Sequence, residues 1–344
     1  MRIANFHIGE RVLIVAEISA NHGHNINIAK DTFKAAKEAG ADAVKIQTYT
    51  ADTLTIKCDS ERFRLGGGTL WDGRTLYDLY SEAYTPWEWQ KELQACAHEL
   101  GLIFFSTPFD KTAADFLENL NVPAYKIASF EITDTPLIEY VAAKGKPVII
   151  STGIATLADI EEAANACIRA GNHQIILLKC TSSYPAPIEE ANLKTIPNMR
   201  ETFGVEVGLS DHTLGITVPV VSVALGAAVI EKHFILDKAI GGPDAEFSLD
   251  AAEFRSMVKA VREAEKALGK ISYDMTENKR KNRLLGRSLF AVEDIKAGDL
   301  LTGKNIRSIR PAGGLPPKYL SDIINKPAVR GIKKGTPITW DILY

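Results

Sequence analysis

The 344-residue sequence predicts an α/β protein, a (β/α)8 TIM barrel carrying a small β-rich domain at its C-terminal end. Three features predict it. Short apolar runs alternate with longer amphipathic stretches eight times over roughly the first 270 residues, the size of a closed barrel. The runs are apolar throughout, as strands covered on both faces must be. After Gly269 the alternation stops and short strand-like pieces separated by turn residues take over.

Residues 12–18 (VLIVAEI) read as the first strand and residues 28–39 as its helix, closed by Gly40 at the C-cap. The second strand is 43–47 (AVKIQ). Its helix, 87–100, follows only after a long detour, with Thr85 and Pro86 placed for the N-cap and first turn. Strands at 103–106, 124–127, 148–151, 175–179, 205–209 and 229–233 come next. Their helices are 111–120, 136–143, 157–170, 193–203, 218–226 and 251–268. The last begins at Asp250-Ala-Ala-Glu253, a capping-box spacing. An open doubly wound sheet is the structural alternative, but eight strands are many for it and no Gly-rich turn follows the first strand.

Two segments interrupt the rhythm. Residues 50–84 are long for a βα loop and carry Gly66–Gly68, Trp71, Tyr77, Tyr80 and Tyr84, as a lid or binding loop would. Residues 277–283 (ENKRKNR) read as a solvated charged connector. The expected organisation is a barrel domain over 1–275, a linker over 276–286 and a β-rich domain over 287–344.

Composition narrows the function. Hydrophobic residues make up 46% of the chain, enough for a large core. A net charge of −3 provides no basic field for nucleic acid or a membrane surface, and neither is an expected partner. The first 18 residues lack a signal-peptide layout and no apolar run approaches the roughly 20 residues that span a bilayer, so a cytoplasmic location is expected. Cys58, Cys96, Cys167 and Cys180 form no C-x-x-C pair, which argues against a disulfide framework or a structural zinc. Cys96 and Cys167 read as small buried hydrophobes.

In a barrel, reactive groups sit at the C-terminal ends of the strands. Those ends present Glu17, Lys45, Gln47, Ser106, Thr107, Lys126, Ser129, Glu131, Ser151, Thr152, Lys179–Tyr184, Ser210-Asp211-His212 and Glu231-Lys232-His233. One strand-end Ser is commonly a helix cap, and one Lys commonly half of an ion pair; so many together are costly unless used. Lysines and hydroxyls converging on one mouth suit a phosphate or a carboxylate. His212 and His233, on neighbouring strands, suit an open divalent site, or are simply held by adjacent acids. Glu17 suits a general base, or is the partner of Lys45. A strand-end lysine would equally serve a Schiff-base aldolase. His22 and His24 fall in a polar loop and read as turn residues. No Walker, Rossmann or nucleophile-elbow motif occurs, so no nucleotide cofactor is indicated.

In order, AEISANH (16–22), VKIQT (44–48), FSTPFD (105–110), YKIASFEI (125–132), ISTGIA (150–155), KCTSSYPAP (179–187), GLSDHT (208–213), IEKHF (230–234), GGPDAEFSL (241–249) and RSIRPAGGL (307–315) resemble the sialic acid synthase family across the whole chain. The tail resembles its antifreeze-like (SAF) domain. The tract 68–89 (GTLWDGRTLYDLYSEAYTPWEW) looks like the pseudaminic acid synthase branch of that family. The loop Asn21-His22-Gly23-His24 departs from the family's N-H-N-G.

The resemblance implies a transferase that forms a C–C bond between phosphoenolpyruvate and an amino-sugar aldehyde, for this branch 2,4-diacetamido-2,4,6-trideoxy-L-altrose. It implies that Lys45, Thr107, Lys126, Ser129, Ser151, Ser182 and Ser210 hold phosphoenolpyruvate. Gln47, Phe109, Glu131, Tyr184, Asp244 and Arg310 would face the sugar, His212 and His233 would bind a divalent metal (Mn2+, Mg2+ or Co2+), and Glu17 would be the base. Arg310 would come from the partner's tail in a domain-swapped homodimer. The product would feed nonulosonic acid biosynthesis and glycosylation of flagellin. The same chemistry on an N-acetylneuraminate or legionaminate precursor is the alternative, and a sugar-binding barrel without catalysis is the alternative of another class.

Overall fold

The computed structural model describes residues 1–68 and 70–342; Thr69 of the tract 68–89, and Leu343 and Tyr344 at the end of the expected tail domain, lie outside the described residues. The chain divides into two units, Met1–Gly269 and Lys270–Tyr344.

The first unit opens on a short antiparallel hairpin of β1 (Arg2–Ile3) and β2 (Phe6–His7). Eight parallel strands follow: β3 (Leu13–Glu17), β4 (Ala43–Thr48), β5 (Ile103–Pro108), β6 (Tyr125–Ile127), β7 (Val148–Ser151), β8 (Ile175–Cys180), β9 (Glu206–Asp211) and β10 (Val229–His233). Each pairs with the next, and β10 closes on β3 with His233 opposite Glu17, so the sheet is a closed barrel and not an open doubly wound one.

Side chains alternate between the barrel interior and the helix-facing side. Leu13, Val15, Phe105, Ile149, Leu178 and Val229 belong to a packed interior cluster, which Ile3 and Phe6 of the hairpin join. A separate, larger cluster joins the outward faces of the strands to the helices, with Ile14, Val44, Phe104, Ile150 and Leu177 among its members. By this alternation Glu17, Lys45, Thr107, Lys126, Ser151, Cys180 and Glu231 continue the inward rows at the mouth. Lys179 is on the other parity. Its Nζ donates to Cys180 O at 2.7 Å and Thr181 Oγ1 at 3.2 Å, so it is not one of the inward-facing cations that the strand end proposed.

The surrounding helices end where capping chemistry ends them. Helix Ile26–Ala39 starts at Asn25, whose side chain accepts from the N–H of Asn27 and Ile28, and stops at Gly40 with φ 98°. A Cβ there would sit 2.9 Å from Val258 Cγ1, so both conformation and space require glycine. Thr85 caps nothing: Pro86 holds the N-cap position of helix Trp87–Glu99, and the Thr85 hydroxyl is 3.1 Å from His22 Nε2. The segment 50–84 is not an irregular loop; it contains helices Ala51–Leu54 and Leu76–Ala83, each with a threonine N-cap.

In the second unit, residues 277–283 form a seven-residue helix, Glu277–Arg283, where composition predicted a connector. β11 (Ser288–Ala291) and β12 (Ile306–Ile309) pair antiparallel over a small core that includes Leu289, Leu301, Ile306, Ile323 and Ile338. No helix among the described residues is long and apolar enough to cross a membrane.

Candidate active site

Four charges meet inside the barrel mouth. Lys45 Nζ lies 2.6 Å from Glu17 Oε2, close but off the hydrogen-bond axis, and 3.4 Å from Glu231 Oε1. Lys126 Nζ lies 3.6 Å from the same Glu231 oxygen. All four side chains are buried. Strand register explains the first pair, because Glu17 and Lys45 are direct neighbours on β3 and β4. Burial raises the Glu17 carboxyl to about 7, although Lys45 pulls it down. Burial pushes Glu231 up, but Lys126 and Lys45 outweigh it and keep that carboxyl below its ordinary value. Burial leaves the Lys126 ammonium easier to deprotonate, despite Glu231. Two lysines sharing two acids, one of which resists ionisation, can bind an added anion without creating an unpaired negative charge.

Hydroxyls surround these lysines. Thr107 Oγ1 accepts from Lys45 Nζ at 3.1 Å, and Ser129 Oγ accepts from Gly153 N–H at 3.0 Å. Ser151 Oγ is buried with no hydrogen-bond partner among the described residues. A Cβ on Gly153 would lie 2.1 Å from Ser182 Oγ, 2.9 Å from Ser129 Oγ and 3.0 Å from Cys180 Sγ, so the backbone approaches this cluster as only glycine permits. Ser210 is buried and stands opposite Cys180 and Glu231 in the register. Burial alone would raise the Cys180 thiol; the His212 ring beside it outweighs that and brings it to about 7.

His212 and His233 stand beside this cradle with ring centres 5.3 Å apart. Thr181 O lies 2.9 Å from His212 Nδ1, which places a proton on that nitrogen and, in the neutral ring, leaves the other as a lone pair. His233 Nδ1 is buried without a hydrogen-bond partner; Asp244 Oδ2, at 3.8 Å, is beyond reach. Burial holds the His233 ring neutral. Among the described residues no group of three or more His, Cys, Asp or Glu is arranged around a metal position. The protein therefore offers a pair of imidazoles, which fits an open divalent site completed by substrate and water oxygens. Behind the pair, on the helix-facing side, Lys232 Nζ lies 2.5 Å from Asp211 Oδ2, and Asp211 also accepts from the N–H and hydroxyl of Thr213.

Outside the charged layer lies a cavity of about 490 Å³. Gln47, Phe109, Glu131, Tyr184, His233 and Asp244 line it, together with Tyr49 and residues of the 50–84 segment. Burial raises Glu131 to about 7, and its Oε2 has no hydrogen-bond partner. The segment is anchored at its stem. His22 meets Thr85, and the His24 ring packs edge-on at 5.2 Å from Tyr84. The departure at His24 thus belongs to the seating of the insertion; the sequence marked that position only as unusual. Burial lowers His22 to about 4.

Within the first unit, every residue to which the resemblance gives a role stands at this mouth, whereas Ser106, Lys179, Asp211 and Lys232, also named at the strand ends, are on the helix-facing parity. Arg310 belongs to the second unit, directly after β12. Sequence reasoning gave no role to Gly153 or Tyr49, and recognised Cys180 and Glu231 only as members of strand-end runs. Inward parity on β8 and β10 would have found Cys180 and Glu231.

A closed parallel barrel with buried lysines, hydroxyls, an imidazole pair and a carboxylate at the C-terminal ends of its strands has the form of a (β/α)8-barrel enzyme. Residues 32–273 match the NeuB family and residues 286–343 match the SAF domain. The chain belongs to the NeuB family. It is 48% identical over 335 residues to the pseudaminic acid synthase of Campylobacter jejuni, covering 97% of each chain. Against the N,N'-diacetyllegionaminic acid synthase of Legionella pneumophila identity falls to 36%, over 95% of this chain and 93% of that one. Among solved structures, the N-acetylneuraminic acid synthetase of Leptospira borgpetersenii in complex with citrate superposes with a TM-score of 0.72 at 31% identity, covering 82% of this chain and 94% of that one.

Proposed function

We propose that the protein is a transferase that condenses phosphoenolpyruvate with 2,4-diacetamido-2,4,6-trideoxy-L-altrose and water, giving pseudaminic acid and phosphate. The juxtaposition of Ser151, Lys126 and Lys45 with Glu17 and the histidine pair in one mouth carries this reading. The difference between 48% identity to a pseudaminic acid synthase and 36% to a legionaminic one supports the choice of sugar.

The lysines and the hydroxyls of Thr107, Ser129, Ser151, Ser182 and Ser210 take the phosphate and carboxylate. Gln47, Phe109, Glu131, Tyr184 and Asp244 face the sugar and hold its aldehyde carbon against C3 of phosphoenolpyruvate. The new C–C bond forms between those two carbons as the aldehyde C=O π pair moves onto its oxygen, which takes a proton from solvent, and C2 is left electron-poor. Glu17 accepts a proton from the water that attacks C2, and the resulting tetrahedral centre expels phosphate by C–O cleavage. His212 and His233 would hold a divalent ion such as Mn2+, Mg2+ or Co2+, which when bound supplies Lewis-acid polarisation of the aldehyde oxygen.

The barrel, through residue 275, is the catalytic domain; residues 276–286 connect it to the SAF domain over 287–344. Arg310 serves the sugar side of a partner's barrel in a domain-swapped homodimer. Exposed apolar side chains on the barrel's rim loops, Phe130, Ile154, Leu157, Ile188 and Leu214, support a covered mouth. The product's class fits surface or flagellin glycosylation.

The test is phosphate release from phosphoenolpyruvate with Mn2+, comparing the diacetamido-altrose with N-acetylmannosamine and the legionaminate precursor. Turnover of the altrose sugar supports the assignment. Preference for another sugar transfers the chemistry to that substrate. No release from folded, metal-loaded protein overturns it.

A further inference from the structure

We infer that Trp71 and the leucines of the 50–84 insertion determine which sugar the barrel accepts, by forming an apolar end wall for a deoxygenated, N-acylated face of the substrate. The inference rests on the reading of the cavity as the amino-sugar site. The carboxyl and imidazole groups lining the cavity, Glu131, His233 and Asp244, all come from the barrel's strand ends and loops. The insertion contributes Leu54, Leu65, Trp71, Leu76, Leu79, Tyr80 and Ala83, with no charged side chain and the Tyr80 phenol as its one hydroxyl.

The wall is fixed in place. Trp71 Nε1–H donates to Pro243 O at 3.0 Å, bridging the insertion to the loop after β10. Its ring lies 5.8 Å from that of Tyr184, whose ring lies 4.5 Å from His212. The wall is therefore one aromatic ring away from the imidazole pair, and a sugar with its aldehyde at the histidines reaches the wall with its far substituents. A hydroxyl pressed there would lose water and find no partner on the leucines; a methyl or acetyl methyl loses nothing. Selection against the hydroxyl is thus built into the insertion, while the strand ends supply the chemistry.

The experiment compares wild type with Trp71→Phe, Trp71→Ala and Leu79→Ser in steady-state kinetics. Substrates are the 6-deoxy diacetamido sugar and N-acetylmannosamine, each with phosphoenolpyruvate, and folding is checked by thermal melting. Trp71→Ala and Leu79→Ser should lower kcat/KM for the deoxysugar about tenfold or more and narrow its advantage over the hydroxylated sugar, with the KM for phosphoenolpyruvate held. Trp71→Phe, which keeps the ring and loses the N–H, should have a smaller effect of the same sign. If wild type prefers the deoxysugar and the variants lose both sugars in equal proportion, the functional reading stands and the wall is overturned. If wild type prefers N-acetylmannosamine, the substrate reading and the wall fall together.

Discussion

Glu17 and Lys45 are register neighbours on adjacent barrel strands, and their side chains meet 2.6 Å apart where neither reaches solvent. The pairing does not keep the carboxyl acidic. Burial outweighs the lysine and leaves Glu17 at about 7, poised to accept a proton near neutral pH. As the proposed base, Glu17 works as the carboxylate, so the rate should fall as pH drops below about 7. Glu17→Gln should lower kcat by ~10²–10⁴-fold, abolish that acid limb, and leave phosphoenolpyruvate binding measurable by calorimetry. The same shift has a stability consequence. The folded value, about 7, lies above the ordinary 4.5, so the folded state holds this proton more tightly. The contribution is complete below 4.5 and lost as pH rises through about 7, and Glu17→Gln should flatten that part of the melting-temperature profile.

The anion cradle makes a separate prediction. Lys126 is buried with Glu231 at 3.6 Å as its nearest acid, and Gly153 leaves the space that three hydroxyl or thiol groups surround. Lys126→Met should raise the KM for phosphoenolpyruvate by roughly tenfold or more, the loss expected for a buried charge-assisted contact. Gly153→Ala should do the same, because its methyl would displace Ser182 Oγ from 2.1 Å away. Competition by inorganic phosphate should weaken in parallel for both variants. Unchanged phosphate inhibition would place the anion elsewhere.

The histidine pair is supported from behind. Asp211 and Lys232 form a buried ion pair next in sequence to His212 and His233. Asp211→Ala strands an unpaired ammonium and should cost about 3–5 kcal/mol in denaturant unfolding. His212→Asn and His233→Asn should each remove Mn2+ binding, read by the loss of the free-to-bound change in the Mn2+ paramagnetic resonance signal. Chelation of the wild-type protein should abolish phosphate release, and added Mn2+ should restore it.

The barrel was legible because its strands are short and mostly apolar and most of its helices start at a capping side chain, such as Asn25, Asp110, Asp134, Thr156 and Asp250, so local pattern and global fold agree. The mouth was legible as far as strand-end residues reveal it. Parity was the missing step: Lys179 and Cys180 are adjacent, yet only the cysteine faces inward, and a run of apolar residues buried on both faces does not announce which is which. Asp211 and Lys232 were named with the other strand-end groups, but nothing in the letters separates a supporting pair from the histidines beside it. The β1–β2 hairpin is too short for any periodicity, and Glu277–Arg283 is helical with a composition that a solvated connector shares. Trp71 and its leucines were visible as an aromatic-rich insertion, but their use as a wall depends on contacts more than a hundred residues away, at Pro243 and Tyr184.

Arg310 supplies the last prediction, since it belongs to the second unit and is proposed to serve a barrel. Arg310→Ala should raise the KM for the sugar and spare that for phosphoenolpyruvate. A mixture experiment separates service within one chain from service across two. Glu17→Gln and Arg310→Ala are each expected to be impaired alone. Unfolded together and refolded, they form some dimers in which an intact barrel meets an intact Arg310 from the other chain. Recovered phosphate release would establish exchange of the tail between subunits. Activity no greater than the sum of the two variants, with mixed dimers verified by differential tagging, would assign Arg310 to its own chain or to no barrel at all.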